Sequence, residues 1–204
     1  MKLHSIVVAL TAAQVLAIGS VGAAFAAPSG ASVPAPSPQA LCLTAGEVSG
    51  ALGGTFRAIP GTSLGNMGPG IYNLRIVMKA GLVSSFGVTY TRGHPGETMV
   101  LNGVNLFRTA AFARRSIGRV LRAYGTASSR SSGVRALPSH DLGESATAVT
   151  FQERIGHGAV LHGLGIIFSQ GRYAADVMVY STSTVDRGKV LALARSVDTR
   201  IQNA

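Results

Sequence analysis

The sequence predicts an α+β domain: an antiparallel sheet of five to seven strands with helices packed on it. Three observations predict it. Several segments alternate apolar and polar residues with period two, as half-buried strands do. Two longer segments change to the helical period, with charged residues on the opposite side. Short turn-forming links join the strands as hairpins, and the elements follow in the order α, ββ(β)α, βββα.

The first helix is announced by Thr44-Ala45-Gly46-Glu47, a capping box in which the Thr hydroxyl and the Glu carboxylate each satisfy the other's backbone N–H. It should run from residue 45 to about 52 and stop at Gly53-Gly54. Residues 61–70 are rich in Gly and Pro and read as loop. Tyr72, Leu74, Ile76 and Met78 then share one strand face, and Phe86, Val88 and Tyr90 another. Lys79 to Leu82 should turn the chain between them. A third, less regular strand is expected over 99–107. From 109 to 124 the period becomes helical, with Ala113, Ile117, Val120, Leu121 and Tyr124 inward and Arg115, Arg119 and Arg122 outward.

Residues 126–135, mostly Ser, Arg and Gly, read as a flexible passage. Three further strands follow, over about 146–154, 160–168 and 172–180, with turns at Gly156/Gly158 and at Gln170-Gly171. In the second of them Leu164, Ile166 and Phe168 share one face while Leu161 and Ile167 take the other. The last hairpin should therefore be central and covered on both sides. Ser183 is expected to cap the last helix, with Asp186 in its first turn and Val190, Ala194, Val197 and Ile201 as its buried stripe. Residues 104–109 leading into one helix parallel 177–182 leading into the other, which suggests two duplicated ββ(β)α halves.

Ahead of this domain stands a leader. Lys2 precedes an apolar run over about 5–24, which ends in Ala24-Phe25-Ala26, the small-x-small pattern of a signal-peptidase site. Cleavage after Ala26 is expected, leaving no stable membrane span; a retained anchor is the alternative, since about 20 apolar residues can cross a bilayer. Residues 27–40 alternate Pro, Ser and Ala without charge and read as a linker. The domain itself is 41–204. Without Lys2 the chain keeps 17 basic side chains, 15 of them Arg, against 8 acidic ones. Such a surface attracts polyanions, whether lipid heads, wall polymers or nucleic acid. The single Cys42 excludes an internal disulfide, and its neighbours Leu41 and Leu43 favour burial.

Motifs that suggest catalysis fail on context. Gly61-Thr62-Ser63-Leu64-Gly65 matches the G-x-S-x-G of serine hydrolases, but Pro60 and the Asn66 to Gly70 run leave no helix to follow it. Ser139-His140-Asp141 places three triad residue types side by side, where they cannot converge. His157, His162 and Glu153 could approach across a hairpin, yet His162 lies on an apolar strand face and reads as a hydrogen-bonded, half-buried residue. His94 sits in a Gly/Pro loop. Asp176, mid-strand, needs a partner, and Arg172 or an Arg of a neighbouring strand would serve. No pattern calls for a cofactor or a metal.

The strongest non-structural signal is basic. Arg108, Arg114, Arg115, Arg119, Arg122, Arg130 and Arg135 fall within 28 residues that contain no acid. Arg115, Arg119 and Arg122 recur at three- and four-residue steps, so they share a helix side and form a candidate anion-binding face. Few aromatic residues interleave with them, which speaks against stacking on single-stranded nucleic acid.

Leu142-Gly143-Glu144, Phe168 to Tyr173 in an FxxGxY arrangement, Val185-Asp186-Arg187 and Leu193 to Ile201 resemble the closing part of exported sensor-like domains of high-GC bacteria. Those domains occur in lipoproteins and outside some receptor kinases. The chain departs from them in having no lipobox, kinase or transmembrane segment. The resemblance implies ligand binding or a structural role at the cell envelope, and carries over no catalytic residue. Two function classes follow: an exported non-enzymatic binding domain, and a small exported hydrolase with unassigned residues.

Overall fold

The protein is described by a computed structural model over residues 35–60, 81–93, 97–126, 131–138, 142–154 and 160–204. The alternating segments become strands of one antiparallel sheet. Among the described residues these are β1 (Arg57–Pro60), β2 (Leu82–Arg92), β3 (Thr98–Phe107), β4 (Ser131–Pro138), β5 (Ser145–Arg154), β6 (Val160–Gln170) and β7 (Tyr173–Ser181). Their order across the sheet is β1-β2-β3-β7-β6-β5-β4. Four helices accompany them: α1 (Pro38–Leu41), α2 (Ala45–Leu52), α3 (Ala110–Thr126) and α4 (Arg187–Gln202). The fold is α+β.

The two central strands are apolar on both sides because both sides are covered. Register places Ile166 opposite Val177 and Ile167 opposite Asp176, so consecutive residues look to opposite faces. On one face Leu164, Ile166, Phe168, Val177 and Val179 pack with Val190, Leu193, Ala194, Val197 and Ile201 of α4 and with Val48 of α2. On the other, Leu101, Val149, Ile167 and Met178 pack with Ile117 and Val120 of α3. Phe107 and Ala174 extend that contact to Ala113. Each fully buried Leu, Ile or Phe contributes about 1.5–3 kcal/mol, so these two layers dominate stability.

The two segments whose likeness suggested duplicated halves meet in the middle of the sheet. β3 and β7 lie side by side, and each runs into a helix. The helices nevertheless pack on opposite faces of the sheet. The connections differ accordingly: Arg108 and Thr109 suffice before α3, whereas residues 182–186 precede α4.

The capping box of α2 forms, with Glu47 N donating to Thr44 Oγ1 at 3.3 Å and Thr44 N to Glu47 Oε2 at 2.7 Å. At α4 the expectation is corrected. Asp186 is the cap, its Oδ1 accepting from Gly188 N at 2.8 Å and Lys189 N at 3.3 Å. Ser183 instead meets Ser181 hydroxyl to hydroxyl at 2.9 Å. Residues 131–135, read as flexible, belong to the edge strand β4, because β5 supplies a hydrogen-bonding partner for an otherwise featureless segment. One turn of helix, α1, also begins inside the stretch read as linker; Ser37 caps it, Pro38 occupies its first turn, and Leu41 is buried beneath it. The expected strand over 72–78, the 61–70 loop and the Gly156/Gly158 turn lie outside the described residues.

Candidate functional site

The outward side of α3 is the basic surface that the helical period foretells. Arg114, Arg115 and Arg122 are exposed and Arg119 is half-buried, while Ala113, Ile117 and Val120 are inside. The helix has no acid in its first turn, and Thr109 Oγ1 accepts from Phe112 N at its start. Arg114 reaches Glu144 at 2.7 Å, an ion pair between two exposed groups. Pairs of that kind contribute about 0–1 kcal/mol, so this one sets position more than stability. Arg115, Arg119 and Arg122 thus lie along one side of one helix. Arg130 and the side chain of Arg135 lie outside the described residues.

On the opposite face of the sheet the N-terminal segment is tied down by side chains from four other elements. Leu43 N donates to Asn102 Oδ1 of β3 at 2.7 Å, and Leu43 O accepts from the Tyr90 hydroxyl of β2. Asn102 Nδ2 continues the chain of bonds to Asp176 O at 3.0 Å. Tyr173 of β7 donates to Pro36 O at 2.8 Å. Arg200 of α4 donates to both Cys42 O and the Glu47 carboxylate. A one-turn helix brings little stability of its own, so these bonds and the burial of Leu41, Cys42 and Leu43 hold it in place.

Between this segment and β1/β2 lies a shallow groove of about 210 Å³, lined chiefly by Gln39, Cys42, Ala58, Phe86, Val88 and Tyr90. That is smaller than the ~300–1,000 Å³ of sites that enclose a drug-sized ligand. Its phenol and thiol are already occupied. Tyr90 gives its proton to Leu43 O, and the Cys42 thiol points at Pro38 O, 3.5 Å away. Burial, reinforced by the Asp176 charge and opposed by Arg200, pushes the Cys42 thiol up to about 12. Burial likewise raises the Tyr90 phenol above its ordinary value, with Cys42 and Glu47 adding to it. Neither group is a nucleophile at neutral pH.

Three of the four pieces that carry the sensor-like resemblance meet at one corner, while Val185-Asp186-Arg187 lies at the far end of α4. Leu142-Gly143-Glu144 turns against the β6–β7 hairpin, with Glu144 N donating to Ser169 O at 2.8 Å and Gly171 N to Glu144 Oε1 at 3.3 Å. Gly143 N donates to Asp198 Oδ2 of α4 at 3.1 Å, and Gln202 Nε2 shares that oxygen at 2.8 Å. Gly143 has φ +52°. A Cβ there would stand 2.3 Å from the Ser169 carbonyl oxygen, so only glycine fits. The corner is structural in its chemistry.

The remaining sequence candidates separate. Asp176 is buried in β7, but Arg172 is not its partner; that guanidinium donates to Phe107 O at 3.0 Å. His162 is half-buried and sits 3.4 Å from Gln152 across the hairpin. Ser63, Ser139, His140, Asp141, His94, His157 and the side chain of Glu153 lie outside the described residues. Among the described residues no three His, Cys, Asp or Glu side chains gather as metal ligands would. No helix among them is long and apolar enough to cross a membrane. Sequence reasoning missed Asn102, Tyr90 and the Arg200–Glu47 pair. An amide in the middle of an apolar strand was the available signal for Asn102, the same signal that singled out Asp176.

No family model matches the chain, and no curated protein matches it. Among solved structures, the extracellular domain of PknH from Mycobacterium tuberculosis has the same fold. The likeness has a TM-score of 0.63 at 14% identity and covers 82% of this chain and 95% of that domain. The chain therefore shares its α+β architecture with the extracellular part of a mycobacterial kinase.

Proposed function

We propose that this chain is an exported, non-enzymatic binding domain of the cell envelope. In this reading the α3 side bearing Arg115, Arg119 and Arg122 contacts anionic groups. The observation that carries the proposal is the placement of arginines along one outward side of a helix whose other side is buried in the sheet. The leader supports export, and the fold likeness to the extracellular domain of PknH supports a role outside the cytoplasm. The groove supports binding over hydrolysis, because its lining is apolar and its hydroxyl and thiol are turned to backbone carbonyls.

Guanidinium groups suit such a face because they offer forked donors to phosphate, sulfate or carboxylate. Each basic residue near a charged surface contributes on the order of 1 kcal/mol, so three should raise affinity by about two decades at low salt. Screening at physiological ionic strength should remove much of that. The test is retention on immobilised heparin across a salt series. Arg115→Glu/Arg119→Glu/Arg122→Glu should elute at markedly lower salt with an unchanged far-UV spectrum. Retention equal to the parent would end the proposal.

A further inference from the structure

We infer that the end of the sheet where β2 begins and β3 ends docks on an anionic lipid surface, through Val83 flanked by Arg108, Arg115 and Arg172. The inference rests on the anion-binding reading of α3 and specifies its partner.

Register supplies the first observation. Leu82 pairs with Phe107 and Ser84 with Leu106, so Val83 stands between two pairs as an extra residue. Such a bulge re-aims a side chain, and Val83 is 53% exposed, one of two large apolar residues so exposed among those described. Around it the surface stays apolar. Leu82 and Phe112 are only partly buried, and the Phe112 ring lies against Gly81, where a Cβ would come within 2.8 Å of it.

The second observation is charge. Arg108, Arg115 and Arg172 are all exposed at this end. Arg108 is fixed through its N–H to Gly81 O at 2.9 Å, and Arg172 through Nε to Phe107 O at 3.0 Å. The acid of this corner, Glu144, is already neutralised by Arg114 at 2.7 Å. An exposed apolar residue at a sheet end that also carries exposed arginines suits the boundary between headgroups and acyl chains better than it suits water or a soluble polyanion.

The third is where the chain enters. Tyr173 begins β7, pairs with the next-to-last residue of β3, and holds Pro36 through its hydroxyl. Residue 36 therefore sits at this same end. Residues 27–35 can span at most about 30 Å when extended. Until the leader is cleaved, this is the end from which the chain runs to the bilayer.

Cys42 is buried and its thiol is inert at neutral pH, so a cysteine placed on the surface can be labelled selectively. Val83→Cys and Ile59→Cys, each carrying an environment-sensitive fluorophore, make the paired test on protein purified from the exported fraction. Ile59 is 49% exposed on β1, paired with Thr89 toward the opposite end of β2. Vesicles of phosphatidylglycerol with phosphatidylcholine should shift the emission at 83 to the blue and leave that at 59 unchanged, while pure phosphatidylcholine shifts neither. Arg108→Glu/Arg115→Glu should weaken vesicle binding by about fivefold for each positive charge lost. Binding to anionic vesicles without a shift at 83 overturns the docking end and leaves the anion-binding face standing. Retention on heparin without vesicle binding points to a soluble polyanion and overturns the lipid partner. Loss of both would overturn the underlying reading as well.

Discussion

The two faces of the sheet are built differently. On one face α1, α2 and α4 lie together over β2, β3, β7 and β6, and their contact is threaded with polar bonds, buried from Leu43 to Asn102 and Tyr90 and half-buried from Arg200 to Cys42 and Glu47. On the other, α3 crosses β3, β7 and β6 and turns Ala113, Ile117 and Val120 inward. Apolar burial is non-directional, whereas an interior hydrogen bond fixes orientation and is costly to leave unmade. The first face therefore specifies how separate pieces of chain assemble. The second asks only for a stripe on the helix, which leaves the helix's outer side free to carry charge.

The largest expected effects test this division in the core. Ile166 and Ile167 are adjacent, almost equally buried at 1% and 2%, and chemically identical, yet they look to opposite faces. Replacing either with Ala should cost about 2–5 kcal/mol, the range for a buried large-to-small change. Ile166 belongs to the larger cluster, against α4, and should cost more. Urea unfolding of both variants measures the difference; an equal or reversed order would show that the faces contribute alike.

Next in size comes the polar brace. Asn102→Leu leaves Leu43 N–H and Asp176 C=O without their side-chain partners inside the protein, a loss of about 1–3 kcal/mol. Ser116→Ala on the α3 face removes a hydroxyl that bonds only to Ala113 O of its own helix at 2.7 Å, and should change stability by less than about 0.5 kcal/mol. Amide exchange adds a positional readout. Asn102→Leu should expose residues 41–44 to exchange while α3 stays protected. Loosening of both would mean that the brace serves the whole sheet.

The same contrast explains what the sequence makes legible. Period-two alternation shows the strands because a half-buried strand obeys one rule locally, and Ile166 and Ile167 announce a sheet covered twice. The α3 stripe and the α2 capping box are equally local, and both form. What escapes is decided by tertiary partners. β4 reads as flexible because Ser131-Ser132-Gly133 has no pattern of its own and gains one only beside β5. Ser183 and Asp186 are both good caps, and the path of residues 182–186 selects the second. For the functional surface the arginine spacing is legible. The bulge that turns Val83 outward is not, since a register shift belongs to two strands and is written in neither alone.

The smallest effect concerns the Arg200–Glu47 pair, which joins α2 to α4 at the border of the braced face. Burial works against the Glu47 carboxylate. Hydrogen bonds from Arg200, from the Thr44 hydroxyl and from the Thr44 N–H, together with the Arg200 charge, outweigh it and hold the pKa below the ordinary 4.5. The sign follows from linkage: a carboxyl depressed in the folded state binds fewer protons folded than unfolded, so it stabilises above the unfolded pKa. That contribution is present in full above about pH 5 and is lost as pH falls through 4.5 toward the lower folded value. Both side chains keep about a third of their surface in water, 30% for Arg200 and 32% for Glu47, so solvent screens the pair. The gain should be under about 1 kcal/mol. Glu47→Gln keeps the size and much of the hydrogen bonding but cannot titrate. Unfolding midpoints of parent and variant should differ at pH 7 and draw together as the pH falls below 4.5, whatever the other carboxylates do, because their contribution is common to both. A difference that does not shrink as the pH falls would assign the effect to packing between α2 and α4 instead of charge.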